Sequence, residues 1–156
     1  VSTVEPISSA SAEETEAAGT RLASHLRAGD VVLLEGDLAA GKTTFVRGLL
    51  RGLGGNAETV SSPSFVLLQT YDCSLNDIDS LHHVDLYRLG ERISDLREIG
   101  IEEVLSDDAT VVAIEWPKNT LATWIPTDAR TWRVGITTKD DDSRQIEIIP
   151  PSEQSS

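Results

Sequence analysis

The sequence predicts a three-layer α/β domain with a mainly parallel central sheet and antiparallel additions. Three observations lead there. Val31 to Glu35 and Thr110 to Glu115 are short, β-branched apolar runs, the pattern of strands buried on both faces by flanking helices. A glycine-rich turn and an amphipathic helix follow the first of them. Thr131 to Thr138 and Arg144 to Ile149 alternate apolar with polar residues around Lys139-Asp140-Asp141-Asp142, which reads as an antiparallel pair.

In chain order, Thr3 to Ile7 is a short extended candidate. Ser11 with Glu14 forms a capping box that opens a helix carrying Ala18, Leu22 and Leu26 on one face. Gly29-Asp30 ends it, and the Val31 strand follows. The second helix starts at Lys42, turns Phe45, Val46, Leu49, Leu50 and Leu53 inward, and stops at Gly54-Gly55. Phe65 to Tyr71 and Leu81 to Tyr87 read as a hairpin with a long polar connection. Residues 91–106 read as one or two short helices broken near Gly100, with Leu96, Ile99, Val104 and Leu105 as the apolar set.

A length of 156 residues suits one domain, here 1–149, with 150–156 expected to be a disordered tail. Apolar residues make up 39% and charged residues 25%, an ordinary globular balance. Apolar runs are too short to span a bilayer, and Val1 to Pro6 has neither the charge nor the apolar stretch of a secretory signal. The lone Cys73 excludes an internal disulfide and suits a reducing compartment, so a cytoplasmic location is expected. The net charge is -13, and the 13 Lys and Arg residues are scattered with no run of three. Such a surface repels a phosphate backbone, so no strong direct nucleic-acid binding is expected.

The residues Gly36, Asp37, Leu38, Ala39, Ala40, Gly41, Lys42 and Thr43 match G-x-x-x-x-G-K-[ST], between a predicted strand and a predicted helix. Glycines allow a tight loop whose N–H groups point at phosphate, and the helix N-terminus adds partial positive charge. Lys42 would neutralise the β and γ oxygens of ATP or the phosphates of ADP, and the Thr43 hydroxyl would ligate Mg2+. The bland reading is a glycine-rich turn that binds nothing. With the motif in its required context, the expected fold is P-loop NTPase-like.

Glu115 ends the second buried strand, where a carboxylate near Mg2+ would sit. An acid after a strand is also often a mere loop residue or helix cap. Period two along His83-Val84-Asp85-Leu86-Tyr87-Arg88 places His83, Asp85 and Tyr87 on one face. That face suits a site wall, but on this signal alone a solvated hairpin face is the favoured reading. His82 and His83 point to opposite faces and do not make a transition-metal site. Thr59 to Phe65, rich in hydroxyls, is either a turn or a nucleotide-sensing switch.

Taken together, residues 36–44 (with Thr44), Ser62-Pro63-Ser64-Phe65, His83 to Arg88, Asp95 to Ile101 and Ile114-Glu115-Trp116-Pro117 resemble the TsaE (YjeE) family over roughly residues 10–135. The resemblance implies an ATPase that supports tRNA threonylcarbamoyladenosine formation by joining a TsaB–TsaD assembly. It implies that residues 36–43 hold phosphates and that Thr43 and Glu115 hold Mg2+. Asp85 would assist the metal or the attacking water, 62–65 would act as the switch, and Trp116 would lie beside the site. Thr15 corresponds to a position near the adenine pocket. The chain departs from the family with Ala39 in place of Gly and Ser64 in place of Thr. Two rivals stand beside this reading: a small-molecule kinase using Arg88, Arg92 and Arg97, and a nucleotide-dependent binding module without useful turnover.

Overall fold

A computed structural model describes residues 6–37, 41–60, 68–87, 93–117 and 119–151. Seven strands among them form one sheet: β1 (Ile7–Ser9), β2 (Val31–Gly36), β3 (Leu68–Leu75), β4 (Ile78–Asp85), β5 (Thr110–Glu115), β6 (Thr131–Thr138) and β7 (Arg144–Ile149). Their order is β1-β7-β6-β2-β5-β4-β3. The central pairs β6–β2, β2–β5 and β5–β4 are parallel, and the outer pairs are antiparallel.

Helices α1 (Ala12–Ala23) and α2 (Lys42–Gly52) cover one face of the sheet. Phe45, Val46, Leu49, Leu50 and Leu53 are fully buried there, with Ala18, Leu22 and Leu26 also in the core. The short helices α3 (Ile93–Glu98) and α4 (Ile101–Leu105) serve the other face, where Leu96, Ile101 and Val104 pack with Leu33, Val84 and Ile114. The helical period thus supplies two apolar layers, one on each side of the all-buried strand β5. Among the described residues no helix is long and apolar enough to cross a membrane.

Ser11 caps α1 by accepting from Glu14 N at 3.2 Å. The reciprocal bond comes from Ala10 N to Glu14 Oε1 at 3.1 Å, one residue earlier than a standard capping box provides. Helix α1 ends at Ala23, so Leu26 reaches the core from the turn beyond it. Close approach of α1 and α2 depends on small residues: a Cβ on Gly48 would lie 1.8 Å from the Glu16 carbonyl oxygen.

Several expected boundaries move. The first strand is Ile7–Ser9, not Thr3 to Ile7, because pairing of Ile7 with Ile146 fixes it against β7; residues 1–5 lie outside the described residues. The hairpin has a tight turn instead of a long connection. Asn76 (φ 50°) and Asp77 (φ 69°) both take the left-handed conformation that a two-residue turn between twisted strands requires. Asp72 to Leu75 and Ile78 to Ser80 therefore belong to strands. The helical break at Gly100 (φ 80°) is present, and Ile101 joins the buried set while Ile99 and Leu105 are only partly buried. Beyond β7, Pro151 is buried, and residues 152–156 lie outside the described residues.

Asp30 is a structural junction that sequence reading treats only as a helix breaker. Its buried carboxylate accepts from Arg27 N, Arg130 Nε and Trp132 Nε1, each at 3.0 Å. These bonds satisfy the charge and tie the end of the α1 segment to β6.

Candidate functional site

Parallel pairing decides what gathers at the carboxyl edge of the sheet. Leu34 pairs with Glu115 and Glu115 with Asp85, so the ends of β2, β5 and β4 lie side by side. The chain leaves β2 at Gly36 and enters α2 at Lys42 above that edge. Gly41 caps α2 with φ 107°, a conformation that L side chains rarely adopt.

Lys42 is nearly fully buried. Its Nζ donates to Gly36 O at 2.5 Å and Asp37 O at 2.9 Å, and lies 3.9 Å from the centroid of a Trp116 ring. Burial holds the lysine below its ordinary range, while the charges of Glu115, Asp85 and Asp37 oppose that shift. Thr43 Oγ1 donates to Glu115 Oε2 at 3.3 Å. The buried Glu115 carboxylate receives a second contact on the same oxygen, 2.5 Å from His83 Nε2.

Asp85 stands next to Glu115 and accepts from Tyr87 N at 2.9 Å. Its carboxyl is held above the usual range, chiefly by burial, with the charge of Glu115 adding; the Tyr87 N–H, His83 and Lys42 pull the other way. Two carboxylates and a hydroxyl are hard oxygen donors. Their convergence under partial burial is the environment a divalent cation relieves, so the residues fit Mg2+. Among the described residues no group of three or more His, Cys, Asp and Glu side chains forms a metal cage. Mg2+ commonly keeps few protein ligands and takes the rest from water and phosphate.

Trp116 departs from ordinary backbone geometry. Its φ is 59°, an unfavourable value for a bulky residue, and its N–H is fixed to Leu34 O at 3.2 Å. This turn lays the indole between Lys42 and Tyr87, whose ring centroid is 4.9 Å away. Thr15, on α1, is buried and bonds the Ser9 hydroxyl at 2.7 Å. Thr15, Gly41 and Thr44 line a cavity of about 190 Å³ beside the start of α2, together with Asp142 and Arg144.

The structure therefore brings Gly36, Asp37, Gly41, Lys42, Thr43, Asp85, Glu115 and Trp116 to one edge, with Thr15 and Thr44 at the adjoining cavity. Leu38, Ala39, Ala40, the 62–65 segment, Arg88 and Arg92 lie outside the described residues. Arg97 sits 5.5 Å from the Trp124 ring. The solvated-face reading of His83 is overturned: its ring is completely buried and tied to Glu115. The missed signal was the combination of H-x-D on one strand with an acid ending a neighbouring parallel strand.

The raised Asp85 carboxyl has a consequence for stability. Its contribution is full below the ordinary carboxylate range and is lost as pH rises through the higher folded value, so the ionised group opposes folding above it. Asp85→Asn keeps the oxygen that accepts from Tyr87 N and removes the charge. We expect its Tm to exceed that of the unsubstituted protein by on the order of a degree or two at pH 8, the gain vanishing below about pH 4. Thermal melts across pH check this; a lower Tm throughout would show that the charge is not what burdens the fold.

Fold and site together define a P-loop NTPase-like α/β protein with the phosphate-loop sequence between β2 and α2. The model of the family described as threonylcarbamoyl adenosine biosynthesis protein TsaE matches residues 9–146. The chain belongs to that family. It is 38% identical to the tRNA threonylcarbamoyladenosine biosynthesis protein TsaE of Treponema pallidum, over 90% of this chain and 96% of that one. The Nostoc protein of the same name is 42% identical over 88% and 81%. With the Streptomyces coelicolor protein the identity is 46%, and the match spans 63% of this chain and 64% of the relative. Among solved structures, Bacillus subtilis YdiB superposes with a TM-score of 0.72 at 26% identity, covering 99% of this chain and 90% of that one.

Proposed function

We propose that the protein binds and hydrolyses ATP with Mg2+ and thereby supports formation of N6-threonylcarbamoyladenosine at tRNA position 37 by a TsaB–TsaD complex, in the cytoplasm. The observation that carries this reading is the junction of Thr43 and Glu115 at 3.3 Å, with Asp85 paired beside it and Lys42 at the loop. Membership of a family named for this biosynthesis supplies the biological setting.

In this reading the N–H groups of residues 36–43 and the start of α2 hold the phosphates. Lys42 exchanges its bonds to Gly36 O and Asp37 O for β and γ oxygens. Thr43 and Glu115 would hold Mg2+, which would supply charge to offset that developing on phosphate. Asp85 would sit beside that ion or orient the attacking water. The cavity at Thr15 and Thr44 receives the nucleoside. The chain carries -13 net charge with scattered basic residues, so it engages the protein assembly and leaves chemistry on the tRNA to a partner subunit.

The test is ATP turnover by the unsubstituted protein and Glu115→Ala, each with and without TsaB–TsaD. Partners should raise turnover, and the substitution should lower it about a hundredfold while nucleotide affinity falls much less. Normal hydrolysis by Glu115→Ala would overturn its assigned role. Binding without turnover, even with partners present, would favour a nucleotide-dependent module.

A further inference from the structure

We infer that His83 is a positioning residue for Glu115, its Nε2–H fixing one carboxylate oxygen. The inference rests on the proposed role of Glu115 in holding Mg2+. The two residues are 32 positions apart and meet because β4 and β5 run parallel, with His83 opposite Ala113 and Asp85 opposite Glu115. One turn of the pleat separates His83 from Asp85 on the same face.

The hydrogen-bond pattern identifies the donor atom. Nε2 is 2.5 Å from Glu115 Oε2, and a carboxylate only accepts, so Nε2 carries the proton. Nδ1 is buried, with no hydrogen-bond partner among the described residues. The ring itself has no exposed surface, and Tyr71 lies 6.5 Å from it, centroid to centroid. A merely space-filling residue in this position would place carbon against the carboxylate. Here the histidine points a donor at the same oxygen that Thr43 reaches, so two side chains orient that carboxylate.

Three substitutions separate positioning from packing. In His83→Gln the side-chain amide nitrogen falls near the place of Nε2 and can donate to Glu115. In His83→Asn it falls near Nδ1, which faces no partner among the described residues. His83→Leu fills space and donates nothing. The measurement is calorimetric ADP binding as a function of Mg2+, with Mg2+-free binding and thermal melts on the same samples.

We expect His83→Leu and His83→Asn to raise the Mg2+ concentration for half-maximal effect about tenfold or more. His83→Gln should recover most of that loss, and Mg2+-free ADP affinity should stay within about twofold for all three. Equal Mg2+ dependence in the unsubstituted protein and His83→Leu would overturn the inference while leaving the Glu115 reading in place. Gln as impaired as Leu would also overturn it, assigning the loss to packing. If ADP binding by the unsubstituted protein were indifferent to Mg2+, the metal reading itself would fall, and this inference with it.

Discussion

Lys42→Ala is expected to weaken ATP binding at least about a hundredfold, a loss near 2.7 kcal/mol and comparable to one or two charge-assisted hydrogen bonds. The ammonium is poised for this role by what surrounds it. Its Nζ is held by two loop carbonyls and a Trp116 face, so it already points into the loop. Burial makes the charge less comfortable than in water, while Glu115, Asp85 and Asp37 keep it favourable. Phosphate is a stronger partner than two neutral carbonyls, so binding gains from the exchange. Without Lys42, both carboxylates face the incoming polyphosphate without the charge of the buried ammonium. Calorimetric titration checks the effect, with a melt to confirm folding. Affinity within about threefold of the unsubstituted protein would count against the phosphate role of the loop.

How far this arrangement could be read from sequence depended on whether the determining contact was local. Thr110 to Glu115 and both late strands have the bounds expected from their patterns, because a buried apolar run or strict alternation is written along the strand itself. The phosphate loop is likewise contiguous. The β3–β4 turn was misplaced because β3 is a half-exposed edge strand whose polar residues look like a loop. Asn76 and Asp77 also supply the left-handed turn without the glycine that usually marks one. The burial of His83 and Asp30 is illegible for a different reason. Their partners are 32 residues away at Glu115 and 100 or more away at Arg130 and Trp132. A polar residue whose partner arrives through sheet register carries no local mark of burial.

A second large effect is expected at the contact of α1 with α2. Gly48→Ala should cost at least about 3 kcal/mol of stability and lower Tm by roughly 6–12 °C. The added Cβ would stand 1.8 Å from Glu16 O, 2.6 Å from Glu16 C and 2.9 Å from its Cα. All three are backbone atoms, so no side-chain rotation relieves the clash and the helices must separate. Separation also pulls Thr20 Oγ1 from Gly48 O, where it donates at 2.9 Å. It loosens Phe45 and Leu49 beneath. Gly135→Ala is the control, since a Cβ there meets nothing within 4 Å; it should leave Tm unchanged or slightly raised. Matched melting temperatures for both variants would show that α1 can shift at little cost.

The pairing of β1 with β7 bears on how the protein emerges during synthesis. Ser9 and Thr15, made early, share a cavity wall with Asp142 and Arg144, made late. Helices α1 and α2 can associate while translation continues, because their contacts are close in sequence. The sheet edge, however, has no partner for Ile7 until Ile146 has left the ribosome. A nascent chain therefore holds its first two helices long before the cavity lined by Thr15, Thr44, Asp142 and Arg144 is complete. On the proposed function, nucleotide binding at that cavity would stabilise the fold only after release of the last strand, and until then the growing polypeptide depends on its helical layer for protection against misassociation.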